Sequence, residues 1–205
     1  MAAEPVDSLM SRAGLVDVGA MNDRLVIDLM YAGPDNFVGE NMYGDLRKAY
    51  LHPEAAEALM KADAWLEEHH PELRFKICDA ARPMSVQRKM YEKVKGTPSA
   101  PYVSNPARGG GLHNYGLAVD ITLVDEQGRE LPMGTPVDHL GKEANIDKEE
   151  ELAARGVITK KELNNRRMLR QAMRQGGFFP LKTEWWHFNL RSRAVAKSRY
   201  PLLNF

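Results

Sequence analysis

Alternation and helical spacing divide the chain into a short series of elements. Leu25, Ile27 and Leu29 alternate with Val26 and Asp28, which predicts a strand. Leu73, Phe75 and Ile77 alternate with Arg74 and Lys76 and predict a second strand over 73–78. Leu117–Val124 predicts a third, and the aromatic-rich Glu184–Leu190 a last one. Between the strands, apolar residues recur at helical spacing. Leu59, Ala62 and Leu66 form one stripe, on a helix opened by Pro53 and stopped by Pro71. Val86, Met90 and Val94 form another, with Ser85 as the expected cap. Residues 147–155 are charged and predicted helical. Thr159-Lys160-Lys161-Glu162 has capping-box spacing, and the helix it starts is expected to end at Gly176-Gly177.

The connecting segments add organisation. YAGPDNFVGENMYG (31–44) is rich in Gly, Pro, Asn and aromatics and reads as an ordered loop. Residues 96–112 predict a long loop, and a long loop inside a domain usually serves function. Residues 1–20 are expected to be loosely ordered. No internal repeat or low-complexity linker interrupts the rest. The expectation is one α+β domain over 21–205, with a small, mainly antiparallel sheet and helices packed around it.

Composition narrows the partners more than the fold. The 205 residues suffice for one domain with a real core. Lys+Arg and Asp+Glu both number 28, so the net charge is zero, which argues against nucleic acid or an anionic membrane as a general partner. Cys78 is the only cysteine, so an intramolecular disulfide and a Cys-rich zinc site are excluded, and it reads as a small core residue. No apolar run is long enough to span a bilayer. The opening MAAEPVDSLMSRAG lacks the apolar core of a signal peptide. That fits a cytoplasmic protein, and equally an exported one whose leader has been removed. Nothing in the sequence sets the oligomeric state.

The candidate chemistry is split between two distant segments. His113 and Asp120 lie in GLHNYGLAVD, and Glu184 and His187 lie in EWWH. A zinc peptidase needs two imidazoles, a carboxylate ligand, an open position for water and a separate carboxylate base. Asp120 sits among apolar neighbours in LAVDITL, where a carboxylate needs a cation or hydrogen-bond donors. A metal-free His–Asp hydrogen bond explains that segment equally well. His187 would be the third ligand, and Glu184 would lie near the metal without binding it, as a general base requires. Residues three apart on a regular strand face opposite sides, so this pairing demands a bend at Glu184 or a place at the strand mouth. Asp79-Ala80-Ala81-Arg82-Pro83 leaves a strand end. There Arg82 could stabilise an oxyanion and Asp79 could hold it in position, or the two could be a surface ion pair. His69 and His70 end a helix, His52 precedes Pro53, and His139 is a further candidate only as a neighbour of Asp138.

Taken in order, DAARPMSVQ, GGGLHNYGLAVDITLV, MGTPVD and TEWWHF resemble the VanX-type D-alanyl-D-alanine dipeptidases of the zinc D-Ala-D-Ala peptidase superfamily. YAGPDNFVGENMYG is similar to the family's N-terminal segment, so the likeness covers nearly the whole chain. The resemblance implies a single zinc ion at the sheet, held by His113, Asp120 and His187. It implies Glu184 as the base toward water, Arg82 as the stabiliser of the tetrahedral intermediate and Asp138 as the residue near the substrate amine. The implied substrate is a small D-amino-acid dipeptide. A D,D-carboxypeptidase or endopeptidase on longer peptidoglycan stems is the alternative enzyme, and a zinc-containing binding module the alternative outside catalysis. The family often carries Ser where this chain has Gly111, which bears on the shape of the substrate pocket.

Overall fold

A computed structural model describes residues 4–205. The centre is a five-stranded sheet in the order β2-β4-β5-β7-β6. Its strands are β2 (Val26–Ile27), β4 (Leu73–Asp79), β5 (Ala118–Asp125), β6 (Phe179–Leu181) and β7 (Glu184–Asn189). Only β2 runs parallel to its neighbour; the other pairings are antiparallel. A second ladder pairs β1 (Val16–Asp17) with β3 (Tyr50–Leu51). The helices are α1 (Val6–Arg12), α2 (Val18–Met21), α3 (Pro53–His69), α4 (Met84–Val94), α5 (Glu149–Ala154), α6 (Lys160–Gln175) and α7 (Arg193–Arg199). This is a single-domain α+β fold, and no described helix is long and apolar enough to cross a membrane.

The long helices form where the sequence pattern places them. Pro53 occupies the first turn of α3, where its missing N–H costs nothing, and the His52 ring accepts from the Glu54 N–H. Leu59, Ala62 and Leu66 are buried, and α3 packs on α6 and β4. The Thr159–Glu162 capping box starts α6. The strand over 25–29 shortens to Val26–Ile27, because the chain turns into a 3₁₀ segment at Met30–Ala32.

Two expectations are revised, and a third gains detail. Residues 1–3 of the segment expected to be loose lie outside the described residues; the rest carries α1, β1 and α2, with Met10, Leu15 and Val18 buried in the core. Ser85 does not cap α4. Instead the N–H groups of Met84 and Ser85 donate to the carbonyls of Leu203 and Phe205, so a distant segment satisfies the free donors of that helix start. The 96–112 loop holds two 3₁₀ turns, Ala100–Tyr102 and Pro106–Arg108.

Two irregularities in the sheet position the site. The β4–β5 ladder runs Ile77↔Ile121 and then Asp79↔Asp120, so Cys78 is extra. In an unbroken ladder Cys78 would sit opposite Asp120, and Asp79 would face the other side of the sheet. The shift brings Asp79, Asp120 and His187 into one row across three strands, since Asp120 pairs with His187. On the other side of β7 the pairing jumps from Pro180↔Phe188 to Leu181↔Glu184, skipping Trp185, Trp186 and His187. That break supplies the bend the spacing of Glu184 and His187 requires.

Candidate active site

Asp120 and His187 of this row line a cleft of about 320 Å³. His113 comes from a 3₁₀ turn, Leu112–Tyr115, that ends at Gly116 with φ 67°. A Cβ at Gly116 would lie 2.9 Å from the His52 backbone nitrogen, so both conformation and space call for glycine there. The turn is tied down from several sides. Arg82 N–H donates to the His113 carbonyl, Asn114 Nδ2 donates to the Arg82 carbonyl, and Leu203 N–H donates to the Asn114 carbonyl.

The structure brings His113, Asp120 and His187 together, and all three are buried. His113 Nε2 lies 3.2 Å from His187 Nδ1 and 3.3 Å from Asp120 Oδ1, and His187 Nδ1 lies 3.0 Å from the same oxygen. The other ring nitrogens fix the tautomers. His113 Nδ1 faces the Ala80 carbonyl at 2.7 Å, so it carries the hydrogen and Nε2 keeps a lone pair. His187 Nε2 faces Asn189 Oδ1 at 2.9 Å, which leaves Nδ1 as the inward lone pair. Three electron-rich atoms pointing at one another in a buried place require a cation, either a proton or a metal ion. These residues could hold such an ion.

Electrostatics follow from that crowding. Burial works against the Asp120 charge, but the charge and hydrogen bonds of His113 and His187 outweigh it and hold its carboxyl well below the usual range. Burial alone would lower the His187 pKa; Asp120, with Glu184 nearby, brings it up to about 9.

Glu184 stands beside the triangle, with Oε2 3.9 Å from His187 Nδ1. Burial pushes its pKa up to about 7, opposed by the His187 charge. Arg82 lines the same cleft. Its Nε and Nη2 donate to Asp79 Oδ2 at 3.1 and 2.5 Å, and its Nη1 donates to Gln87 Oε1 at 3.0 Å. Asp79 is fully buried, so the pair is not a surface ion pair. Tyr43 donates to the other Asp79 oxygen, and the Tyr31 ring lies 5.0 Å from the Arg82 guanidinium carbon.

Asp138 also lines the cleft, and it is the only non-glycine among the described residues with positive φ (69°). Such strain persists only where the surroundings fix it. Tyr31 Oη donates to one of its oxygens at 2.8 Å and Phe37 N–H to the other at 3.0 Å. Burial raises its pKa to about 7 against those two donors. Gly111 has ordinary extended backbone, yet a Cβ there would lie 2.7 Å from Ser104 Oγ.

The remaining histidines stay outside. His139 is half-buried and pairs with Glu143, His69 stacks on Trp65, and His52 serves the start of α3. Sequence reasoning missed Tyr31, Tyr43, Gln87 and Asn189. The two tyrosines lie in the aromatic-rich 31–44 segment and Gln87 closes the DAARPMSVQ motif, but neither pattern assigned them a role, and Asn189 left no trace.

A carboxylate and two imidazoles meet at one point that could hold a metal ion, with a second carboxylate beside them and a guanidinium in the same cleft, a set of groups that metal-assisted hydrolysis can use. A family model described as D-ala-D-ala dipeptidase matches residues 11–203, and the chain belongs to that family of peptidases. The D-alanyl-D-alanine dipeptidase of Escherichia coli K12 is 33% identical over 189 residues, covering 92% of this chain and 89% of that protein. The D-alanyl-D-alanine dipeptidase of Enterococcus faecium is 30% identical over 191 residues, covering 84% of this chain and 89% of that protein.

Proposed function

We propose that this chain is a zinc-dependent D-alanyl-D-alanine dipeptidase. The observation that carries the reading is the triangle of donor atoms. Its sides of 3.0, 3.2 and 3.3 Å match one face of a tetrahedron. With zinc–ligand bonds of about 2.0–2.1 Å, such a face has edges of about 3.3 Å. Two imidazoles and one carboxylate also suit a catalytic zinc, which keeps a fourth position open. In this reading His113, Asp120 and His187 are the ligands. Zinc, when bound, supplies Lewis acidity, polarising a carbonyl and bringing the pKa of water toward ~7.

The other residues take complementary roles. Glu184 removes a proton from the attacking water and returns it to the nitrogen of the leaving D-alanine. A base works best with a pKa near the working pH, and burial brings Glu184 to about 7. Arg82 offers positive charge where the carbonyl oxygen becomes negative. Asp79, itself held by Tyr43, orients Arg82 through its Nε and Nη2. Asp138 receives the free amine of the dipeptide. The ammonium would replace the favourable surroundings that burial takes from that carboxylate.

The cleft size supports a small substrate. About 320 Å³ is near the lower end of the ~300–1,000 Å³ common for small-molecule sites. The deciding experiment compares hydrolysis of D-Ala-D-Ala with that of a pentapeptide ending in D-Ala-D-Ala. Release of D-alanine from the dipeptide is expected, with little or none from the pentapeptide. Cleavage of the pentapeptide alone would move the assignment to a carboxypeptidase.

The metal reading also makes a stability prediction. In chelated protein His187 binds a proton that zinc would displace. Its folded pKa, about 9, exceeds the ordinary 6.5, so its contribution is complete below about 6.5 and lost as pH rises through 9. Glu184 is raised from 4.5 and Asp138 from 3.8, both to about 7, so each acts in the same direction between those limits. The melting temperature of chelated protein should therefore fall from mildly acidic pH toward pH 9. Zinc should add most stability at the alkaline end. A melting curve that rises across this range would contradict the proposed titration.

A further inference from the structure

One buried cation outside the cleft has no role in the reading above. Arg166, on α6, is fully buried. Among the described residues no carboxylate pairs with it; the one that acts on it most, Glu149, bonds to Arg170. Its partners are two backbone carbonyls and a ring. Nε donates to the Met133 carbonyl at 2.6 Å, and Nη2 donates to the Glu143 carbonyl at 2.9 Å. The guanidinium carbon lies 5.8 Å from the centre of the Trp185 ring. Burial pulls the Arg166 pKa down to about 10. An apolar side chain of similar volume often costs less to bury than such a cation, so packing alone does not account for it.

What the guanidinium holds is the base of a loop. Met133 and Glu143 bracket the segment that carries Asp138, and no strand or α-helix lies between them. One planar fork therefore closes both ends of this loop onto α6. Asn165, the preceding residue, adds a third tie, donating from Nδ2 to the Pro132 carbonyl at 2.8 Å. The helix is a firm support, since its Leu169, Ala172 and Met173 belong to the core. At the tip, the Asp138 carboxylate bonds to Tyr31 and Phe37, which lie in the 31–44 loop. Two loops in contact fix each other only as well as one of them is anchored. The same guanidinium also touches the strand of the base. Trp185 follows Glu184 in β7, and its Nε1 donates to Thr135 Oγ1, inside the Asp138 loop, at 2.8 Å. Arg166 thus lies between the loop that presents Asp138 and the strand that presents Glu184. We infer that Arg166 is a positioning residue that sets where Asp138 stands relative to Glu184, and so how well the site holds a substrate amine. The inference rests on Asp138 receiving that amine in the dipeptidase reading.

The test uses the zinc-loaded full chain with D-Ala-D-Ala and with N-propionyl-D-alanine, the same molecule without its amine. Wild type should prefer the dipeptide. Arg166→Gln drops the charge and keeps one donor group; Arg166→Lys keeps the charge as a point. Neither can span two carbonyls as the planar fork does. Either variant should lower kcat/KM for the dipeptide roughly 10- to 100-fold, the scale of a displacement of about 1 Å, with the loss mainly in KM. Cleavage of the propionyl compound should change little, so the preference for the amine should shrink by the same factor. In an Asp138→Asn background, Arg166→Gln should have no further effect on that preference. Calorimetric binding of the two compounds in a Glu184→Gln background should give the same ratios. A role in stability alone gives a different result: a lower melting temperature, with KM and the amine preference unchanged in the folded protein. That result, in either variant, would overturn the inference and leave the dipeptidase reading intact. A wild type that does not cleave D-Ala-D-Ala, or cleaves it without preferring the amine, would overturn both.

Discussion

Glu184→Gln is expected to lower kcat roughly 100- to 10,000-fold while the protein keeps its zinc. The substitution preserves volume and removes only the proton acceptor. Glu184 is not one of the three atoms that define the triangle; its nearer oxygen is 3.9 Å from His187 Nδ1. Metal content, measured by atomic emission on the purified variant, should therefore match the wild type. Single-turnover hydrolysis of D-Ala-D-Ala gives the rate. Near-wild-type turnover would remove Glu184 as the base. Loss of zinc along with activity would mean that the carboxylate helps to hold the metal.

Arg82→Lys is expected to cost roughly 100- to 1,000-fold, mostly in kcat. Lysine keeps a positive charge but cannot copy a planar fork that holds Asp79 with two nitrogens and Gln87 with a third. Arg82→Ala would be a poorer probe. It leaves the Asp79 carboxylate buried without its cation, which typically costs about 3–5 kcal/mol of stability. A lysine variant with wild-type kcat and an unchanged melting temperature would exclude the oxyanion role. Steady-state kinetics on D-Ala-D-Ala, read beside a thermal melt, separates the two cases.

Much of this site was legible in sequence because its parts sit at recognisable structural junctions. His113 lies just before an apolar strand, Asp120 is a charge inside that strand, and Arg82 leaves a strand end beside a proline. Those local oddities are visible without a fold. The helices from Pro53 and Thr159 were equally plain, since their caps are short-range signals. What remained hidden depends on long-range contact. Tyr31 and Tyr43 reach Asp138 and Asp79 across 107 and 36 residues of chain. The Cys78 bulge, which turns Asp79 toward the cleft, has no composition signature. Strands β1, β3 and β6 are two or three residues long, too short for a period to appear. The order of 5–20 comes from burial of Met10, Leu15 and Val18, which a polar-looking segment does not advertise.

The break in β7 also constrains how this protein can change by descent. Glu184 and His187 reach the same cleft because Trp185, Trp186 and His187 are passed over on the β6 side. The quantity that inheritance must preserve is therefore a count of residues, more than the identity of those between. Another bulky apolar residue at 185 or 186 keeps both ends in place. A one-residue insertion or deletion there would swing the carboxylate away and leave the ligand triangle untouched. Such a lineage would hold a folded, metal-binding relic with every site residue still in its sequence, and a search for the motif letters alone would miscount it as an enzyme.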